Sequence, residues 1–163
     1  MSIGILTLWY LLIAFLLLGN KTKELANKTD TQHEVVSTWD IWCINDVCFD
    51  LELAKTPEAR KLGLMNREYL WESEWMLFVF DKITNHKFWM KDTLIPLDMI
   101  WLDKDQNIVY IQKMAKPCWE NLSSINACPI YDSHKLSKYV LEINGWLTDK
   151  YNIKVWDKFY FKK

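Results

Sequence analysis

The chain has 163 residues, half of them hydrophobic and a quarter charged, with a formal net charge of −1. That balance excludes a disordered chain, and because Lys and Arg are interspersed with Asp and Glu it also excludes the basic stripe that duplex nucleic acid requires. Ten Trp, seven Tyr and seven Phe favour sheet over helix, and the length suits one domain with a sizeable core.

Ile3 to Gly19 is free of charge and rich in Leu. Seventeen residues at about 1.5 Å rise reach the short end of a membrane span. Met1 and Ser2 offer no positive leader beyond the α-amine, and no A-x-A-like cleavage site follows Leu18, which favours an uncleaved transmembrane anchor over a removable signal. The chain therefore divides into an anchor or signal over 1–19, a polar stalk over 20–37 and a globular domain over 38–163. Lys21, Lys23 and Lys28 would place the domain in the cytoplasm by the positive-inside rule. The cysteines and three sequons, at Asn20, Asn27 and Asn121, point the other way, and they carry more weight because flanking charge only biases orientation.

Thr38 to Ile44 and Val47 to Ala54 read as a hairpin around Asn45-Asp46, two residues tolerant of positive φ. Its register sets Cys43 opposite Cys48, close enough for a cross-strand disulfide. Thr56-Pro57-Glu58 supplies an N-cap, a proline at the first helical position and an acid in the first turn, so a helix starts here and ends at Gly63. Met76 to Phe80 is an unbroken apolar run, a strand buried on both faces. His86 to Met90, Met99 to Leu102 and Asn107 to Met114 follow as strands.

Cys118 and Cys128 then bracket a loop rich in Asn, Ser and Pro, which a disulfide would staple. They lie too far apart for a zinc knuckle, so neither a metal nor a cofactor is expected; buried free thiols are the alternative. Lys138 to Ile143 alternates, with Tyr139, Leu141 and Ile143 on one side. A short helix from Trp146 to Tyr151 and a strand near Val155 to Phe161 close the chain. About eight strands and two short helices, with turn signals at close spacing, predict a mainly β domain, a single jelly-roll-like β-sandwich behind the N-terminal transmembrane helix.

The stretches Lys61 to Met65, Met76 to Phe80, Phe88 to Asp98, Pro117-Cys118 and Cys128-Pro129 resemble the family called domain of unknown function 192, over about Trp42 to Phe161. The resemblance implies a compact β-sandwich, commonly behind a signal or lipoprotein sequence, with no established activity to carry over. The chain departs from that family in having Asp92 where Asn is usual, and in replacing a glycine pair near Asn152 and Trp156.

His86, Lys91, Asp92, Thr93 and Asp98 fall within thirteen residues of sequence, enough polar chemistry for an acid–base pair or a ligand pocket. The plainer use of Asp92 and Thr93 is local backbone bonding in a turn before Ile95-Pro96. Exposed rings among Trp42, Trp71, Trp75 and Trp119 would suit stacking on a sugar or packing against a partner. Two functions follow: a membrane-tethered extracytoplasmic module that binds a glycan or an envelope protein, or an envelope hydrolase using His86 and Asp98 with Lys91 as electrostatic helper.

Overall fold

A computed structural model describes residues 34–35, 41–118 and 128–162. The segment expected to be an anchor, most of the expected stalk, the three sequons and Trp119 lie outside them. Among the described residues no helix is long and apolar enough to cross a membrane.

The hairpin forms as its turn residues dictate. β1 is Glu34–Val35, β2 is Ile41–Ile44 and β3 is Val47–Ala54, with Asn45 at φ 54° and Cys43 paired with Cys48. Both expected disulfides are present, Cys43–Cys48 and Cys118–Cys128, with Cα atoms 4.0 and 5.7 Å apart. β1, placed by the sequence within the stalk, pairs with Leu53 and Glu52 of β3. Helix α1, Pro57–Leu62, begins where Ala59 N–H donates to Thr56 Oγ1 at 3.1 Å and ends at Gly63.

The remaining strands are β4 (Glu74–Thr84), β5 (Lys87–Trp89), β6 (Leu97–Leu102), β7 (Ile108–Ala115), β8 (Ile130–Asp132), β9 (Ser137–Asn144) and β10 (Phe159–Lys162), with helix α2 at Leu147–Lys150. The domain is mainly β, but it is not the jelly-roll-like sandwich of two facing sheets. One sheet runs β10-β2-β3-β4-β9-β6-β7, and β5 and β8 form a separate ribbon. The sheet curls into a half-barrel whose ends meet: Ile108 N–H donates to Asp157 O, Trp156 N–H to Ile108 O and Phe159 N–H to Gln106 O, at 2.9, 2.8 and 2.9 Å.

Two features defeat the sandwich. The α1 crossover makes β3 and β4 parallel neighbours in the same sheet, a connection that antiparallel sandwich hairpins do not need. All six residues of β6 are buried, so both faces of the sheet centre are covered and polar–apolar alternation has no solvent side to report. The concave face packs Trp75, Leu77, Ile100, Leu141 and Ile143 against Phe159, Leu147 and Ile153. The opposite face packs Met76, Phe78, Met99, Trp101 and Val140 beneath Leu64, Leu70, Phe88 and Met90, which lie in or beside the α1–β4 connection and the ribbon.

Candidate functional site

His86 and Asp98 are not brought together. Asp98 follows the concave-face parity of Ile100 and Leu102 and is fully buried, with Oδ1 accepting from Met114 N–H at 2.8 Å. Its Oδ2 accepts from Thr148 N–H at 2.9 Å and Thr148 Oγ1 at 2.6 Å. Asp98 thereby ties β6 to the end of β7 and to the start of α2. His86 stacks on Phe80, ring centroids 3.6 Å apart, and Phe80 packs on the opposite face. Its Nε2 lies 3.1 Å from Lys82 O, and burial outweighs that contact to hold the imidazole below its ordinary pKa. The acid–base pair expected from sequence is therefore split across the sheet.

Lys91, Asp92 and Thr93 form the turn that the plainer reading anticipated. Asp92 sits at φ 54°, a left-handed position that Asn or Asp tolerates. Asp92 N–H donates to Cys118 O at 2.8 Å, Cys118 N–H to Thr93 O at 3.2 Å and Asn66 N–H to Asp92 O at 2.7 Å. The Cys118–Cys128 disulfide thus braces this turn, and the turn braces the segment after α1. Thr93 is buried, whereas Lys91 is exposed, 3.7 Å from the Asp92 carboxyl and above the Trp89 ring.

Beneath this turn lies Glu142, which the sequence reading did not single out. Register places it on β9 between Met76 of β4 and Met99 of β6, with Glu52 of β3 and Gln112 of β7 completing the row. Glu142 is 4% exposed, and its carboxyl makes no hydrogen bond among the described residues. Burial raises its pKa to about 8, against the attraction of Arg67. Arg67 is itself engaged by both Glu52 oxygens at 2.7 and 2.6 Å. At neutral pH Glu142 therefore carries its proton and can donate.

Glu142 forms the floor of an open pocket whose walls are the 61–65 turn, Phe78, Phe88, Trp89, Lys91 and Thr93, enclosing about 30 Å³. The Lys61–Met65 and Phe88–Asp98 stretches, far apart in sequence, meet here. A second cavity of about 210 Å³ is lined by Asp50, Glu52, Arg67, Leu70, Glu74 and Trp75. Gly63 shapes the first pocket: at φ 49° a side chain is strained, and a Cβ would lie 3.2 Å from Phe78 Cζ. Gly63→Ala is expected to lower stability by about 1–3 kcal/mol in chemical denaturation. An unchanged midpoint would show that the turn relaxes without cost.

The four suggested tryptophans divide. Trp75 is core, stacked on Phe49, and its indole N–H donates to Glu72 O at 3.1 Å. Trp42 is half-buried against Phe159, Trp71 is exposed, and Trp119 lies outside the described residues. Trp89, Trp146 and Trp156, not singled out for exposure, are exposed as well. Asn152, where the family has glycine nearby, adopts the left-handed conformation that Asn tolerates, at φ 53°.

No curated protein matches the chain. Two solved structures are similar to it. One is a protein of Sinorhizobium meliloti 1021 described as a "putative transcription regulator", 29% identical, covering 75% of this chain and 91% of that one, with a TM-score of 0.65. The other is a protein of unknown function from Novosphingobium aromaticivorans DSM 12444, 28% identical, covering 80% and 94%, with a TM-score of 0.66. The sequence pattern of the DUF192 family, described as uncharacterized ACR, matches residues 41–161, well over half of the chain, and the protein belongs to that family.

Proposed function

We propose that this protein is an extracytoplasmic binding or accessory module, tethered to the membrane by Ile3 to Gly19, that takes its ligand in the Glu142 pocket. The observation that carries the binding reading is the buried Glu142 carboxyl, without a hydrogen-bond partner among the described residues and facing an open pocket beside Lys91 and Thr93. A buried polar group left unpaired costs about 1–3 kcal/mol. Such a group calls for a partner from outside the fold, either water or ligand. Phe78, Phe88 and the half-exposed Trp89 add an apolar and aromatic lining that suits a small organic group.

The two disulfides support an oxidising compartment, and the sequons at Asn20, Asn27 and Asn121 agree with it. A hydrolase built on His86 and Asp98 has no comparable support, since the two lie on opposite faces of the sheet. Orientation is tested on intact cells by treatment with a membrane-impermeant reductant and then an impermeant thiol reagent. Labelling of the partly exposed Cys118 and Cys128 is expected, with the buried Cys43 reached only on denaturation, and protection of all four that is lifted by cell lysis would place the domain in the cytoplasm. The pocket is tested by native mass spectrometry of the full chain in detergent. A small organic ligand is expected on the wild type and absent from a folded Glu142→Leu variant, whereas equal occupancy would remove the pocket from the reading.

A further inference from the structure

Resting on that pocket as the ligand site, we infer that the group it receives is a carboxylate, held by the Glu142 carboxyl at the floor and by Lys91 at the mouth. Charge carries the first part of the argument. Three lining side chains are cationic, Arg60, Lys61 and Lys91, and the one acidic side chain is Glu142. Buried away from water and without a hydrogen-bonded base, that acid is more stable neutral than charged, so it presents an O–H donor rather than a negative charge. An O–H donor facing an anionic oxygen makes one of the shorter and stronger hydrogen bonds available to a protein.

Every charged group packed near Glu142 agrees with this assignment. Arg67, the nearest cation on the sheet side, is neutralised by Glu52. The Arg60 guanidinium is held by Val79 O at 2.8 Å and by Lys55 O, which fixes it in the wall. Lys91, half-exposed, 3.7 Å from the Asp92 carboxyl and over the Trp89 ring, and the exposed Lys61 are the lining cations able to turn toward a ligand, and Lys91 is the one beside the buried Thr93.

Size selects among anions. About 30 Å³ holds roughly two water-sized groups, at 10–15 Å³ each. A carboxylate sets both oxygens in that enclosed part, whereas a tetrahedral phosphate or sulfate leaves the rest of its four in the open mouth. The stem of the ligand then leaves past the exposed rim of the lining, Lys61, Leu62, Trp89 and Lys91.

The test uses the full chain, isotope-labelled in detergent, titrated separately with acetate, inorganic phosphate and acetamide while amide resonances of the 61–65 and 88–93 segments are followed by NMR. Acetate is expected to shift them saturably at pH 6, and phosphate to leave them unchanged. Lys91→Met should weaken acetate binding by roughly fivefold. Raising the pH from 6 to 9 should weaken it by more than about tenfold in the wild type, because an ionised Glu142 repels the anion at short range. Glu142→Gln keeps an N–H donor without the charge, so its binding should stay within about threefold and lose most of that pH dependence. Acetamide or phosphate binding at these residues without acetate would overturn the carboxylate assignment and leave the pocket as a ligand site. If none of the three shifts these resonances in folded protein, the carboxylate assignment fails and the pocket reading fails with it.

Discussion

Glu142→Gln is expected to be more stable than the wild type by about 3 kcal/mol at pH 7 and about 5 kcal/mol above pH 8, yet within about 1 kcal/mol of it near pH 4. The size follows from the distance between the folded value of about 8 and the ordinary carboxyl value of 4.5. Its sign follows from proton counting. Between those two values the folded protein keeps a proton on Glu142 that the unfolded chain has released, so raising the pH favours unfolding. Below 4.5 both states are protonated and the contribution disappears. Above 8 both have lost the proton and the penalty is fully expressed. Glutamine has nearly the same shape and never ionises, so the difference between the two proteins isolates this one group. Urea or guanidinium denaturation of both at pH 4, 7 and 9, disulfides intact, measures it. A difference that does not change with pH would mean that Glu142 has found a charged partner, and its part in the pocket would have to be withdrawn.

The second large effect belongs to Asp98, which chemistry alone would have nominated as catalytic. Asp98→Ala leaves the buried Thr148 N–H and Oγ1, and the partly buried Met114 N–H, without their acceptor. A loss of about 3–5 kcal/mol is expected, in the range reserved for broken buried networks. Asp98→Asn should cost about 2 kcal/mol, since its amide must turn an N–H toward one of those donors. Thr148→Val, which removes a single bond, should cost about 1 kcal/mol. A catalytic Asp98 would show the reverse pattern, with stability little changed by the asparagine substitution. In the folded Asp98→Asn variant, ligand binding at the Glu142 pocket should be unaltered, because the two carboxyls lie on opposite faces of the sheet.

Backbone strain at two tryptophans points to a different property of this chain. Trp146 and Trp156 have φ of 75° and 79°, in a region that bulky residues rarely occupy, and both rings are exposed. At Trp156 a turn closed by Asp157 N–H to Lys154 O and by Lys154 N–H to the Asp157 carboxyl holds the backbone in place. This is a position where glycine is the unstrained choice, and no ring contact among the described residues explains Trp156 there.

Legibility of the sequence follows the range of the interactions. The Asn45-Asp46 hairpin, the Thr56-Pro57 helix start and both disulfide pairs depend on residues within about ten positions of one another, and each is readable from local chemistry. The strands are readable too, except β8 just after the Cys118–Cys128 loop, and β4 runs four residues past Phe80. Pairing is not. Neither the parallel β3–β4 neighbourhood nor the meeting of β7 with β10 leaves a mark on periodicity, because hydrogen-bond partners across a sheet are chosen by the chain path and not by the strand itself.

Glu142 marks the boundary between the two kinds of information. On β9 the alternation of Tyr139, Leu141 and Ile143 assigns the intervening residues to a solvent face, and a glutamate there looks ordinary. Only the tertiary structure lays Leu64, Phe88 and the Thr93 turn over that face, turning an unremarkable surface acid into a buried one. Composition and local pattern therefore determined that the chain is a cystine-braced β domain with a hydrophobic N-terminal segment. Packing between distant segments decided which carboxyl is structural and which faces a pocket, because the surroundings that set a side chain's charge are contributed by residues that sequence order keeps far apart.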